Sequence, residues 1–201
     1  MVQLTEVLTL EHELIREVLT CLERTTDDCA AEGRLREQEA REAVDFFRVF
    51  VDQCHRRKEE CCLFAVMAQH AFPPDHGPLG ILVAEHEQAR WHLRNMVQSI
   101  DAAVLGRPRA VRRFINHARS YVQLLRDHIR KEDEHLFPLA DQYVTEADQR
   151  ALSANLGQVS PGQCAAGNGR IHAHLPRCLA DRNCALQEQG IPAELRGEFR
   201  C

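Results

Sequence analysis

Two twelve-residue segments of this chain, HRRKEECCLFAV at 55–66 and HIRKEDEHLFPL at 128–139, share six residue types at matching positions, 73 residues apart. A second pair, EHELIREVL at 11–19 and EHEQARWHL at 85–93, shares Glu, His, Glu, Arg and Leu at an offset of 74. The agreement of the two offsets indicates that one pattern of histidines and glutamates occurs twice in the chain. We therefore expect both copies to serve the same chemistry.

Apolar residues recur at steps of three and four along four long segments, which is the spacing of amphipathic helices. We expect helices at about 3–24, 36–70, 79–105 and 108–143. A polar break around Asp27 to Gly33 would follow the first, and FPPDHGP at 72–78 would end the second, because proline cannot continue a helix. The inward stripes of the third and fourth helices are expected to include Val97 and Tyr143. The predicted fold class is all-α, an antiparallel up-and-down four-helix bundle.

The chain changes character after the fourth helix. Thr145 is a suitable cap for a short fifth helix, and from about residue 157 the sequence is rich in Gly, Pro, Asn and Cys. We expect two regions: the bundle at 1–145, and a C-terminal extension at 146–201, a short helix and then a largely irregular tail. A second metal site is the less favoured interpretation of the tail, because no standard zinc spacing is met by Cys164, His172, His174, Cys178 and Cys184.

Charge and hydropathy exclude several kinds of partner. The formal net charge is −5 and there is no extended basic block, so we expect neither nucleic acid nor an anionic membrane surface as a partner. The N-terminal segment MVQLTEVLTLEHEL does not resemble a secretory signal, and no apolar run approaches membrane-spanning length. A cytoplasmic location is therefore expected.

Residues of metal-binding type interrupt each apolar stripe near its middle: His12, His55 with Glu59, His86, and His128 with Glu132. Residues four positions apart lie on one face of a helix, so each histidine–glutamate pair can point at one site. Burial of four imidazoles and two carboxylates is unfavourable unless something offsets it, and a pair of metal ions would do so. One such histidine alone is usually a core residue, but the recurrence in all four helices predicts a metal site. A metal-free helical interaction module is the alternative that the same stripes allow.

The order His, His-x-x-x-Glu, His, His-x-x-x-Glu, with LFP after the last pair, resembles the hemerythrin-like, or HHE cation-binding, proteins over residues 3–145. The resemblance implies a four-helix bundle that holds two non-haem iron ions, carboxylate-bridged and oxo-bridged when oxidised. The family pattern implies terminal ligation by the four histidines and bridging by both glutamates. Each ion would then have open positions for oxygen, nitric oxide or peroxide.

Two positions depart from the oxygen-carrying members of that family. Those proteins have a second histidine four residues after the third-helix ligand, where this chain has Arg90. Asp133 also competes with Glu132 for the last ligand position, although the parallel with Glu59 favours Glu132. The ligand set is more similar to the iron-sensing and repair branch than to the carriers.

Several alternatives follow from neighbouring residues. A ferritin-like site needs two Glu-x-x-His pairs, but only Glu132 and His135 form one, since Cys62 stands at the matching place after Glu59. Cys62 and His135 either support the ligands or are an ordinary core residue and an exposed one, and we favour the latter. Manganese or zinc would suit the same donor atoms.

The favoured function is a protein that binds oxygen, nitric oxide or iron in a sensing, storage or carrier role. The alternative is a di-iron enzyme for peroxide or nitric oxide turnover, or for iron donation in iron–sulfur repair. No feature of the sequence identifies a protein partner.

Overall fold

The computed structural model describes residues 3–159, with side chains as far as residue 152. These residues form five helices and no strand: α1 (Leu4–Glu32), α2 (residues 37–69), α3 (Gly77–Val104), α4 (residues 108–143) and α5 (Glu146–Val159). The first four are long and joined by short connections, so successive helices run antiparallel and pack as the predicted bundle. The all-α fold class is confirmed. The Cys and His residues of the predicted tail lie outside the described residues.

Helix α1 extends to Glu32, beyond the predicted end at 24, so the predicted polar break was wrong. Thr25, Thr26 and Cys29 are buried on the inward side of this extension. The two threonine hydroxyls donate to backbone carbonyls four residues earlier, at 3.1 and 2.6 Å, which satisfies them within the helix. The helix ends at Gly33, whose φ of 70° is the left-handed conformation that glycine adopts readily.

Helices α2 and α4 contain wider, π-helical turns that the sequence did not predict. They lie at Phe47–His55 and Glu59–Leu63 in α2, and at Glu132–Leu136 in α4. Proline at 138 in α4 has no N–H to donate to the carbonyl four residues earlier, which helps to explain the turn before it. Both motif glutamates begin such a turn, and π turns inside α-helices are frequent at functional sites.

The apolar core is divided into two clusters along the bundle axis. In α1, Leu8 belongs to one cluster and Ile15 to the other, with His12 between them. In α3, His86 likewise separates Leu82 from Ala89. The polar residues predicted to bind metal therefore form a layer between two apolar regions.

Two residues assigned to the inward stripes do not belong there, since Val97 and Tyr143 are each 46% exposed. Helix α5 begins where it was predicted. The Thr145 hydroxyl accepts the backbone N–H of Asp148, whose carboxylate accepts the Thr145 N–H in return. Among the described residues, no helix has the length and apolarity needed to cross a membrane.

Candidate metal centre

The six residues singled out from the stripes all come together in the interior. None is more than 3% exposed, and they fall into two overlapping groups whose candidate ligand atoms lie within 4.8 Å of one another. The first group consists of His12, His55, Glu59 and Glu132. The second consists of Glu59, His86, His128 and Glu132. Both glutamates belong to both groups, so they occupy the middle of the cluster.

The histidines meet in pairs through the same ring nitrogen. Nε2 of His12 lies 3.1 Å from Nε2 of His55, and Nε2 of His86 lies 3.0 Å from Nε2 of His128. Each pair joins two neighbouring helices of the bundle. Two imidazole nitrogens this close, both turned inward, suit two ligands of a single cation.

Each central carboxylate divides its two oxygens between the two histidine pairs. Glu59 places Oε1 2.8 Å from Nε2 of His55 and Oε2 3.3 Å from Nε2 of His86. Glu132 places Oε2 3.3 Å from Nε2 of His12 and Oε1 3.2 Å from Nε2 of His128. All four oxygens are buried and have no hydrogen-bond partner among the described residues. Buried acceptors without partners are unfavourable, and two cations would satisfy them in a bridging arrangement.

The pKa values of His12 and His128 are raised and that of Glu132 is lowered, which shows that the cluster favours positive charge. Burial lowers the pKa of His12, but its hydrogen bond to Asp133 and the close carboxylates of Glu132 and Glu59 outweigh that effect and raise it to about 11. Burial also lowers the pKa of His128, yet the charge of Glu132 and the hydrogen bond to Glu85 raise it to about 9. Burial and the charge of Glu59 raise the pKa of Glu132, but His128 and His12 lower it to about 2. A metal ion would supply the positive charge that these protons otherwise provide.

The outward nitrogen of every histidine is held by a carboxylate. The Nδ1–H groups donate at 2.7–2.9 Å to acids on neighbouring helices, in the pairs His12–Asp133, His55–Glu11, His86–Glu60 and His128–Glu85. Such a bond fixes the ring orientation and leaves the Nε2 lone pair free to bind metal. Two of these acids are the Glu of the EH dipeptides at 11–12 and 85–86, and the other two directly follow the motif glutamates.

Each of these four carboxylates also meets a cationic side chain, in the pairs Glu11–Lys58, Asp133–Arg16, Glu60–Arg90 and Glu85–Lys131. Lys58 and Lys131 are one matching pair of the repeat, and Arg16 and Arg90 are the other. The repeat thus encodes an outer layer as well as the six inner residues. This layer was not predicted from the sequence, although the Glu, Lys and Arg residues shared by the repeated segments indicate it.

Two phenylalanines at matching places of the repeat cover histidine rings. Phe137 stacks on His12 with ring centroids 5.3 Å apart and an interplanar angle of 9°, and Phe64 stacks on His86 at 6.0 Å and 10°. Both rings belong to the apolar cluster at this end of the bundle. They shield the cluster from water on that side, which strengthens electrostatic interactions within it.

The structure decides between alternatives that the sequence left open. The Asp133 carboxylate lies on the outer nitrogen of His12, whereas Glu132 lies in the centre, so the histidine–glutamate spacing is the one that faces inward. Arg90, at the departure from the oxygen carriers, pairs with Glu60 behind His86. Cys62 is 3% exposed and packs in the apolar cluster, while His135 is exposed, as the favoured interpretation predicted. The second glutamate–histidine pair of a ferritin-like site is therefore absent among the described residues.

Comparison with known protein families agrees with this geometry. The family model for the hemerythrin HHE cation-binding domain matches residues 3–140. No curated protein and no solved structure matches the chain. The matched segment contains the whole histidine and glutamate cluster and most of the described residues. The chain therefore belongs to the hemerythrin HHE cation-binding family.

Proposed function

We propose that the cluster holds two iron ions, one bound by His12 and His55 and the other by His86 and His128, with Glu59 and Glu132 bridging them. The observation that carries this proposal is the set of four buried carboxylate oxygens that have no hydrogen-bond partner in the described part of the chain, each directed toward a histidine Nε2. Packing alone gives no reason to bury two carboxylates side by side, because their mutual repulsion and desolvation are both unfavourable.

The donor set supports iron. Imidazole nitrogens with bridging carboxylate oxygens suit iron, and the family resemblance favours it over manganese and zinc. Each ion would receive two imidazoles and one oxygen from each glutamate, which leaves it short of six ligands. Ferrous ions held by these residues would supply electrons and open coordination positions for a diatomic ligand.

The surroundings favour reversible binding over turnover. The four outer carboxylates are already engaged by histidine N–H groups and by lysine or arginine, so they are poorly placed to deliver protons to a ligand at the centre. The stacked rings of Phe64 and Phe137 add an apolar wall. A bound oxygen or nitric oxide molecule would be shielded from water and acids, as a sensor or carrier requires.

Metal analysis of protein purified from iron-replete cells tests the proposal. We expect about two iron ions per chain, and His55→Ala and His128→Ala should each empty or halve the site. His76→Ala is the matched control, because the His76 side chain is 73% exposed, pairs with its neighbour Asp75 and lies outside both ligand groups. Unchanged iron content in both site variants would contradict the proposal.

The proposed role needs a separate measurement. Anaerobically reduced protein should give a stable optical change with oxygen or nitric oxide that reverses when the gas is removed. Repeated consumption of peroxide or nitric oxide without a stable adduct would assign an enzyme instead.

A further inference from the structure

A third close pair of imidazoles lies on the outside of the bundle, away from the buried centre. Nδ1 of His92 on α3 lies 3.0 Å from Nδ1 of His117 on α4. His92 is 7% exposed and His117 is half-buried, so the pair lies at the margin of the bundle, with His117 reaching the surface. The contact joins residues on different helices, so the spacing within either helix does not reveal it.

The separation in this outer pair matches those in the buried centre. The two buried Nε2 pairs are 3.1 and 3.0 Å apart, and the outer Nδ1 pair is 3.0 Å apart. With metal–nitrogen bonds of about 2.0–2.1 Å, two nitrogens lie about 2.9 Å apart at a right angle and about 3.4 Å apart at the tetrahedral angle. The outer pair is closer to the right angle, which tetragonal Cu²⁺ and Ni²⁺ prefer.

The environment keeps both rings neutral and adds an aromatic neighbour. Burial lowers the pKa of His92, as does the charge of His117, and burial and the charge of Arg113 lower the pKa of His117. Neutral rings offer lone pairs for a metal. The half-exposed Trp91 ring lies against both, with centroid distances of 4.8 Å to each.

Nearby charges affect how strongly His92 and His117 could bind a cation. No carboxylate among the described residues forms an ion pair with either ring. Arg113 donates to the amide oxygens of Asn95 and Gln98, at 2.7 and 2.9 Å, which holds its guanidinium beside the pair. Its positive charge opposes binding of a cation there.

We propose that His92 and His117 form a surface site for a divalent transition-metal ion of tetragonal preference, Cu²⁺ or Ni²⁺, with water at its remaining positions. Each ring binds through Nδ1 and keeps its proton on Nε2. The site is separate from the buried centre, since His92 lies about 9 Å along α3 from His86, and His117 about 16 Å along α4 from His128. Its existence does not depend on iron at that centre.

Tryptophan fluorescence of the full chain tests this site, because Trp91 is the single tryptophan. Titration with Ni²⁺, which does not oxidise thiols, should quench Trp91, and Cu²⁺ should do so at lower concentration. His117→Ala should weaken the quenching by at least about tenfold, while His76→Ala should leave it unchanged. Equal quenching in wild type and His117→Ala, or none in wild type, would overturn the proposal.

A second variant gives a change of opposite sign, which damage to the fold cannot mimic. Arg113→Gln removes the nearby positive charge and should tighten Ni²⁺ binding by about two- to fivefold. Electron paramagnetic resonance of Cu²⁺ at one equivalent should show splitting from two nitrogens in wild type and from fewer in His117→Ala. Unaltered or weaker binding in Arg113→Gln, together with an unchanged copper spectrum in His117→Ala, would show that the imidazoles share only a hydrogen bond.

Discussion

The centre has two halves, one built by His12 and His55 and the other by His86 and His128. Both halves have the same arrangement of inner residues. Each half has paired Nε2 atoms, outer carboxylates on both Nδ1 atoms, a lysine, an arginine and a stacked phenylalanine. The halves differ in what lies behind the arginine. Arg16 is 44% exposed and pairs with Asp133, whereas Arg90 is 21% exposed and pairs with Glu60, Asp52 and Glu87.

The difference continues into the core. Asp52 also lies 3.5 Å from Nη1 of Arg56, which is 1% exposed. The residues 73 positions further on are Leu125 and Ile129, so the other half has apolar side chains at these places. The inner residues are thus repeated in both halves, whereas the ion pairs that Asp52 forms behind them are present in one half and replaced by apolar residues in the other. This contrast indicates that the chemistry of the centre fixes the inner residues, and that the packing of each half decides how firmly they are held.

The largest expected effect comes from the residues that the halves share. Glu59→Gln and Glu132→Gln should each lose both ions, because each carboxylate contributes one oxygen to each histidine pair. Iron per chain, measured after purification under reducing conditions, checks this. Loss of one ion from only one of the variants would show that the bridge is unequal.

The outer carboxylates should have the next largest effect. Glu60→Gln and Asp133→Asn keep the shape but remove the charge that orients His86 and His12. Loss of such a partner typically weakens metal binding by about 10- to 100-fold. Competition with a chelator measures the affinity, and Glu134→Gln, an exposed neighbour on α4, is the matched control. Affinities equal to that of the control would mean that the outer layer serves the fold alone.

The helical stripes predicted most of the fold and all six inner residues, because both depend on periodicity that one sequence displays. The π turns at Glu59 and Glu132 were not predictable, since their apolar spacing differs little from that of an α-helix. The extension of α1 was missed because the polar segment around Asp27 to Gly33 was interpreted as a break, although Cys29 is buried within it and the helix satisfies the hydroxyls of Thr25 and Thr26 just before it.

Contacts between residues on different helices were the other feature that the sequence did not predict. The pairing of His12 with Asp133 and of His92 with His117 depends on which helices are neighbours and at what height. The repeat nevertheless contained the outer layer, because Lys58 and Lys131 recur with the ligands at one offset. A residue that recurs with a ligand, yet lies off the inward stripe, is a candidate for this supporting role.

The two arginines test whether the unequal support matters. Arg90→Ala should destabilise the protein by about 1–2 kcal/mol, because it leaves Asp52 and Glu60 without their shared cation, whereas Arg16→Ala should change stability by less than about 1 kcal/mol. Chemical denaturation of the metal-loaded proteins compares the two. Equal losses would remove the distinction between the halves.

The smallest expected effect is at Tyr121, which lies near Arg56 in the half of the centre that has the additional ion pairs. Tyr121 is fully buried on α4, and its hydroxyl has no hydrogen-bond partner among the described residues, nor does Nη2 of Arg56. Burial raises the pKa of Tyr121 while Arg56 lowers it, so the guanidinium is close enough to act on the hydroxyl by its charge. Tyr121→Phe keeps the packing of the ring against Phe47 and removes only the buried oxygen. Because no described residue lies in hydrogen-bonding geometry to that oxygen, we expect the free energy of unfolding to stay within about 1 kcal/mol of wild type, or to rise slightly. A loss of more than about 2 kcal/mol in chemical denaturation would show that Arg56 does bond to the hydroxyl, and that the polar support of this half extends to Tyr121.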